Sequence, residues 1–301
     1  MAAGAAMGFE RTVRRRAIAA SVGLLALALA GCESPDIPDE PRAATVLDAP
    51  ILVATPAGDR LFLLAEQSLR RTERSHRTTL GFRQETFTTH SVIRDELWSL
   101  DPATLALQWR QPLREYRPTG QTRPSRLAGH RADAIWWRAG AEAAVSTVDG
   151  RALPDAGAPP ADGRAIEAFN APWYFHAGPA DGDGGPLRFP DTAEVLRARA
   201  PEGFFRLHVS PVGAAAPVPI RVERLADDGR SLWTALLPIA RLHSLAATDA
   251  TLVFYGMADA GKVPGTDHVA QGSPVLVSVD IASGRLATLD VGQASLAVPP
   301  R

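Results

Sequence analysis

The sequence predicts an all-β body, and three observations carry that reading. Residues 44–301 show little helical periodicity. Short runs rich in Val, Leu, Ile, Trp and Thr recur along them, broken by turn formers, with 25 glycines and 25 prolines in 301 residues. Apolar runs of strand length bounded by Gly, Pro and Asp are what sheet packing requires. Finally, one alternating segment ending in an aspartate and a turn recurs along the chain, which marks a repeated supersecondary unit.

Taken in order, the chain opens on a basic segment, Arg14-Arg15-Arg16. An apolar stretch from Ala17 to Leu29 follows, and then Leu29-Ala30-Gly31-Cys32. That order is the layout of a secretory signal peptide. A helix over the 13 apolar residues rises ~20 Å, short of the ~30 Å hydrocarbon core, so length argues against a spanning segment. The alternative is an uncleaved anchor helix with a chance cysteine. The Leu-Ala-Gly-Cys box resembles the signal of bacterial lipoproteins, cut between Gly31 and Cys32 while that thiol carries a diacylglycerol. The resemblance implies that residues 1–31 are removed. It also implies that acyl chains, palmitate among them, hold Cys32 to a membrane of the cell envelope, with the body facing the periplasm. Glu33 stands where an aspartate would signal inner-membrane retention, so the reading leans to the outer membrane.

Residues 32–43 read as a lipidated tether. Glu33-Ser34-Pro35-Asp36-Ile37-Pro38-Asp39-Glu40-Pro41 is acidic, proline-rich and nearly free of large apolar groups, which favours an extended, solvated chain. Without residues 1–31 the chain carries 28 basic and 32 acidic side chains, a balance of −4. That balance gives no electrostatic reason to bind nucleic acid or an anionic bilayer face. Cys32 is the only cysteine, so the body has no internal disulfide, thiolate metal site or cysteine nucleophile.

The body, residues 44–301, begins with a hairpin. Ile51 to Ala54 and Leu61 to Ala65 flank the turn-rich Pro56-Ala57-Gly58-Asp59. The repeat then appears four times, with strand-end aspartates at 101, 149, 227 and 280, spaced by 48, 78 and 53 residues. Two intervals fit one propeller blade of roughly 40–50 residues, and the long one fits a blade plus an insertion near 154–203. Within that insertion, Arg188 to Arg199 reads as a short helix capped by Asp191 or Thr192. These spacings predict a small β-propeller of about five blades with one irregular insertion. An antiparallel β-sandwich is the alternative. Leu100, Asp101, Thr104 and Trp109 resemble the repeat of quinoprotein-type propellers, with Leu105 in place of its glycine. Asp280, Gly284 and Leu286 keep the motif without the tryptophan. The whole chain is similar to proteobacterial lipoproteins that carry such repeats.

Candidate chemistry is sparse. No cofactor is expected: the vicinal cysteines usual in pyrroloquinoline quinone enzymes are absent, and such repeats also build propellers without cofactor. Asp181-Gly182-Asp183-Gly184-Gly185 has the look of a calcium loop, but Gly185 and Thr192 stand where an EF-hand needs its later ligands. The seven histidines, at 76, 90, 130, 176, 208, 243 and 268, show no metal-ligand spacing, so no metal is expected. Asp267-His268 is the nearest acid–base pair, and no Gly-x-Ser-x-Gly elbow nominates a serine. Arg70, Arg71, Arg74 and Arg77 crowd one stretch, which reads as an anion or headgroup site or as a long exposed hairpin or loop. Trp136, Trp137, Trp173 and Tyr174 form two aromatic clusters that mark a possible contact surface, or ordinary packing between sheets. No catalytic residue is nominated. The expectation is a lipid-anchored, non-enzymatic binding or scaffold module, its partners the membrane and other envelope proteins. An envelope hydrolase or oxidoreductase with its site in a propeller channel is the alternative.

Overall fold

The computed structural model describes residues 39–79, 82–120, 122–159, 175–176, 195–199, 203–208, 220–258 and 272–297. Gly31, Cys32, Trp173, Tyr174, the Asp181–Gly185 loop and Asp267-His268 lie outside the described residues, as does most of the expected insertion. The described chain is eighteen strands and one short helix, arranged in four antiparallel sheets, which is the all-β class expected.

In the first sheet β1 (Glu40–Pro41), β2 (Thr45–Val46) and β3 (Ile51–Thr55) lie one after another along one edge of β4 (Gly58–Thr79). Strand β4 pairs β5 (Phe82–Leu100), which pairs β6 (Leu107–Tyr116). The hairpin at Pro56–Asp59 forms where the turn residues place it: Thr55 pairs with Gly58, and Gly58 takes a φ of 97°. Positive φ is open to glycine because it lacks a Cβ. The Thr55 hydroxyl closes the turn by donating to the Gly58 carbonyl at 2.6 Å.

The other sheets are simple meanders. The second contains β7 (Arg126–His130), β8 (Ala134–Arg138) and β9 (Glu142–Ser146). The third contains β10 (Phe175–His176), β11 (Val195–Arg199), β12 (Phe204–His208), β13 (Ile220–Leu225) and β14 (Ser231–Leu237). The fourth contains β15 (Arg241–Ala247), β16 (Thr251–Met257), β17 (Pro274–Asp280) and β18 (Leu286–Asp290), followed by helix α1 (Val291–Ala297). Asp290 caps that helix, accepting a bond from the Gln293 amide at 2.9 Å.

Two expectations are corrected here. Residues 195–199, expected to end a helix, are strand β11, paired with β12 along its length and with β10 on its other edge. Two strand neighbours satisfy a backbone that a two-turn helix, with its costly nucleus, would leave half paired. Residues 39–42, expected in the free tether, lie on the body: β1 pairs Glu40 with Arg70, and the Arg42 amide donates to the Ser68 carbonyl.

Burial orders the sheets. One face of the fourth sheet (Leu245, Leu252, Phe254, Val275, Val277) packs on Phe205, Leu207, Ile220, Val222 and Leu237 of the third. Its other face (Ala246, Val253, Leu276), with Val291 of α1, packs on Leu61, Leu63, Trp98, Leu100 and Leu105 of the first. The first sheet turns Ile51, Val53, Phe62 and Leu97 to Ile135 and Val145 of the second. The first and fourth sheets are therefore apolar on both faces. That is why β17 reads Val-Leu-Val-Ser-Val rather than as alternating polar and apolar residues.

The repeated turn has one geometry at two sites. The Asp101 and Asp280 amides donate to the carbonyls five residues on, and their carbonyls accept from Leu105 and Gly284 four residues on. Each carboxylate accepts from a hydroxyl and an amide, of Thr104 and of Ser283 respectively. In the second sheet the same place is held by Ser146, not Asp149: Ser146 bonds Arg151 and Gly150, and Asp149 stands where Thr104 and Ser283 stand. In the third sheet it is Ala226, with the turn one residue shorter. The sequence register was displaced there because the turn accepts its carboxylate at either of two positions.

Three of these turns also lock a sheet to the one before it. A Cβ on Gly150 would lie 2.9 Å from the Trp109 ring of the first sheet, and one on Gly284 would lie 2.7 Å from Trp233 of the third. The Trp233 indole donates to the Ile281 carbonyl at 2.9 Å. The matching carbonyl in the first sheet, Pro102, accepts from Ser278 of the fourth at 2.6 Å. At that junction Leu105, with a φ of 58°, replaces the glycine, and Thr288 stands at the tryptophan position. The buried Leu105 side chain joins the cluster holding Leu276 and Ala287, so it fills space at a junction that lacks an indole.

Candidate functional site

The feature that sets the first sheet apart is the length of its β4–β5 pair. β6 reaches only as far as Ile93, paired with Tyr116, and β1 only as far as Arg70. Beyond them Arg71–Thr79 and Phe82–His90 continue as a two-stranded ribbon, nine residues a side and about 30 Å long at ~3.4 Å per residue. An isolated ribbon of this kind is marginal in water and exposes two unpaired edges, so it needs a rigid root and charged flanks. Both are present.

The root is a ladder of ion pairs. The Arg71 guanidinium forks onto Asp39, with Nε 3.0 Å from Oδ1 and Nη2 2.6 Å from Oδ2, and reaches Glu115 at 3.1 Å. Glu115 also accepts from Arg94 Nε at 2.7 Å. The Arg71 hydrogen bonds hold Asp39 below the usual carboxylate range. Burial pushes Glu115 up, but the bonds from Arg94 and Arg71 outweigh it and leave it lowered.

Deeper on the same face, Glu96 takes Arg110 and the Trp98 indole, with the guanidinium 4.9 Å from the indole centroid. Arg110 and Gln67 both donate to the Ser295 carbonyl at the end of α1, and the Ser295 hydroxyl accepts from the Ala44 amide at 2.9 Å. These bonds clasp the first described segment, the first sheet and the last helix together. On the opposite face Asp95, fully buried, takes Arg114 at 2.7 Å and the Ser125 hydroxyl at 2.5 Å. Tyr116 donates to Glu66, and burial, with the Asp95 and Glu66 charges, pushes its phenol up. The carboxylates of both faces are engaged by guanidinium, hydroxyl or indole donors, while the buried Asp95 Oδ1 has no hydrogen-bond partner among the described residues.

Outward along the arm the pairs become exposed. Arg74 bonds Glu85 and lies over the Phe87 ring at 5.7 Å. Glu73 meets His90 at 3.4 Å and Arg117 at 3.0 Å, and the Thr72 and Thr89 hydroxyls bond across the strands. Phe87 is 55% exposed, among the largest values for an apolar side chain in the described residues. Of the arginine run, Arg71 is committed to the root, Arg70 and Arg74 make outer pairs, and Arg77 is exposed.

Trp136 is 1% exposed, facing Ala134, Ala144, Leu153 and Ala156 with its indole donating to the Gly157 carbonyl at 3.0 Å. Trp137, on the other face of β8, is half-buried. Trp136 thus offers no contact surface in this arrangement. The described histidines stand apart on separate strands: His76 is 3.6 Å from Glu85, His208 is 3.3 Å from Glu223, and His243 stacks on Tyr255. Among the described residues no group of three or more His, Cys, Asp or Glu side chains is placed to hold a metal ion. Sequence reasoning missed the buried charges of β5. The only signal for them is Arg94-Asp95-Glu96 set between the apolar pairs Val92-Ile93 and Leu97-Trp98. Compared with known proteins, the chain matches no protein-family model, no curated protein and no solved structure.

Proposed function

We propose that this chain is a lipid-anchored protein of the bacterial envelope. Its β body serves as a non-enzymatic binding or scaffold module facing the periplasm. The observation that carries the module reading is the arm: about 30 Å of paired strand, rooted by part-buried ion pairs, projects from the body. Reach of that kind serves contact rather than turnover.

The body is a propeller-like ring. Three features support this. The meanders follow one another in sequence, three of the four repeated turns lock onto the preceding sheet, and the last described sheet packs on the first. A two-sheet sandwich leaves one face of each sheet wet, whereas the first and fourth sheets have apolar neighbours on both sides. Four sheets stand among the described residues. The outer membrane is the favoured site of anchoring, from Glu33 after Cys32.

Fractionation of the native host tests the anchor. Cys32→Ser is expected to release the body from membranes or to leave an uncleaved precursor. Unchanged membrane association at mature size contradicts the reading.

A further inference from the structure

Register fixes where the tether leaves the body. Strand β1 runs antiparallel to β4, with Glu40 opposite Arg70 and Pro41 opposite Leu69, while β4 runs outward toward Thr79. Going back along the chain from Glu40 is therefore going out along the arm, and Asp39 already lies beside Arg71. Cys32 is seven residues further back, a reach of at most about 25 Å. The arm beyond Arg71 is of nearly the same length. A lipid on Cys32 is thus confined to within about 25 Å of the arm's root.

Charge is distributed to match. Residues 70–90 hold five arginines and two glutamates, or +3, against −4 for residues 32–301 together; of the four carboxylates in residues 32–40, Asp39 and Glu40 are paired with Arg71 and Arg70. Averaging over the whole chain hides this asymmetry. Alternation along paired strands puts Arg70, Arg74 and His76 on one face with Phe87 and Glu85. On that face an exposed aromatic ring lies under a guanidinium, an arrangement suited to the boundary between headgroups and acyl chains.

We propose that the arm is a second membrane contact: an anionic bilayer surface docks against the face bearing Arg70, Arg74 and Phe87. This rests on the anchor reading, since the acyl chains at Cys32 bring the arm to the surface. Each arginine held near anionic headgroups strengthens the contact about fivefold, and salt screens it. The arm then fixes the orientation of a body that a single lipid anchor alone would leave free to turn.

The test uses the full lipidated chain reconstituted in vesicles. With Cys32 acylated, Thr89→Cys supplies the one free thiol, on the same face as Phe87, for an environment-sensitive fluorophore. In vesicles of phosphatidylethanolamine and phosphatidylglycerol the emission is expected to shift to the blue. The shift should vanish in phosphatidylcholine, in about 0.5 M NaCl, and in Arg70→Glu/Arg74→Glu. It should survive in Arg70→Lys/Arg74→Lys, and equal melting temperatures show that both variants fold. The mass of Cys32 in the same preparation reads the anchor separately. With Cys32 acylated, emission indifferent to lipid charge overturns the arm proposal alone. Shielding that depends on protein density and persists in phosphatidylcholine would assign the face to a second copy of the chain and overturn it too. An unmodified Cys32 overturns the anchor beneath it.

Discussion

Trp233 is where the packing of one sheet on the next is most open to measurement. Its ring lies on Gly284, bonds the Ile281 carbonyl and meets Phe205 at 5.9 Å. Removing a fully buried tryptophan costs ~3–5 kcal/mol. Trp233 is half-buried, and the Ile281 carbonyl keeps its bond from Arg224 at 2.7 Å, so Trp233→Ala should cost about 2–3 kcal/mol. Gly284→Ala should cost a similar ~2–3 kcal/mol, because an L-residue is strained at a φ of 72° and its methyl would meet the indole. In the double variant the methyl occupies space the indole has left. The two effects should then fall short of their sum by about 1–2 kcal/mol, the coupling expected of touching residues. Urea unfolding followed by far-ultraviolet circular dichroism measures all four corners of the cycle, and Trp233→Ala alone should lower Tm by about 5–10 °C. Additivity within ~0.5 kcal/mol would refute the reasoning, since it would mean that the tryptophan and the turn do not share a contact.

Two further outcomes follow from the ion pairs and turns. The carboxyls of Asp39, Asp101, Glu115 and Asp280 are all held below their ordinary range. A lowered folded pKa means the unfolded chain binds more protons, so this stabilisation is complete above about pH 5 and lost as pH falls below ~4. Thermal melts should show a flat Tm from pH 5 to 7 and a steep fall beneath pH 4. Arg114→Met leaves the buried Asp95 charge without its cation and should cost about 3–5 kcal/mol. Arg77→Ala on the exposed arm should cost under ~0.5 kcal/mol, and denaturant midpoints compare the two.

How much of this was legible in the sequence depended on whether the signal was local. The Pro56–Asp59 hairpin was readable because turn chemistry is set by adjacent residues. The arginine run pointed to a long hairpin because only an exposed element tolerates so many charges. The repeat was visible but misplaced at Asp149, since Ser146 does there what Asp101 does elsewhere. Leu105 looked like a lapse from the glycine pattern. Its role became clear only beside Thr288, which is distant in sequence. Helix α1 went unseen although Asp290 and Gln293 form its cap, because seven residues carry too little periodicity. The ladder at the arm's root was hidden for a different reason. Charged residues read as surface until their partners on neighbouring strands are known, and register alone brings Arg94 to Glu115 and Arg71 to Asp39.

The central claim is that fatty chains on one sulfur hold this body at a membrane. Mass spectrometry of the amino-terminal peptide, taken from envelopes of the native host, tests it directly. The account predicts a chain that starts at Cys32, with a diacylglycerol thioether and an acylated amine. An intact leader, or a mature chain with an unmodified thiol, would contradict it.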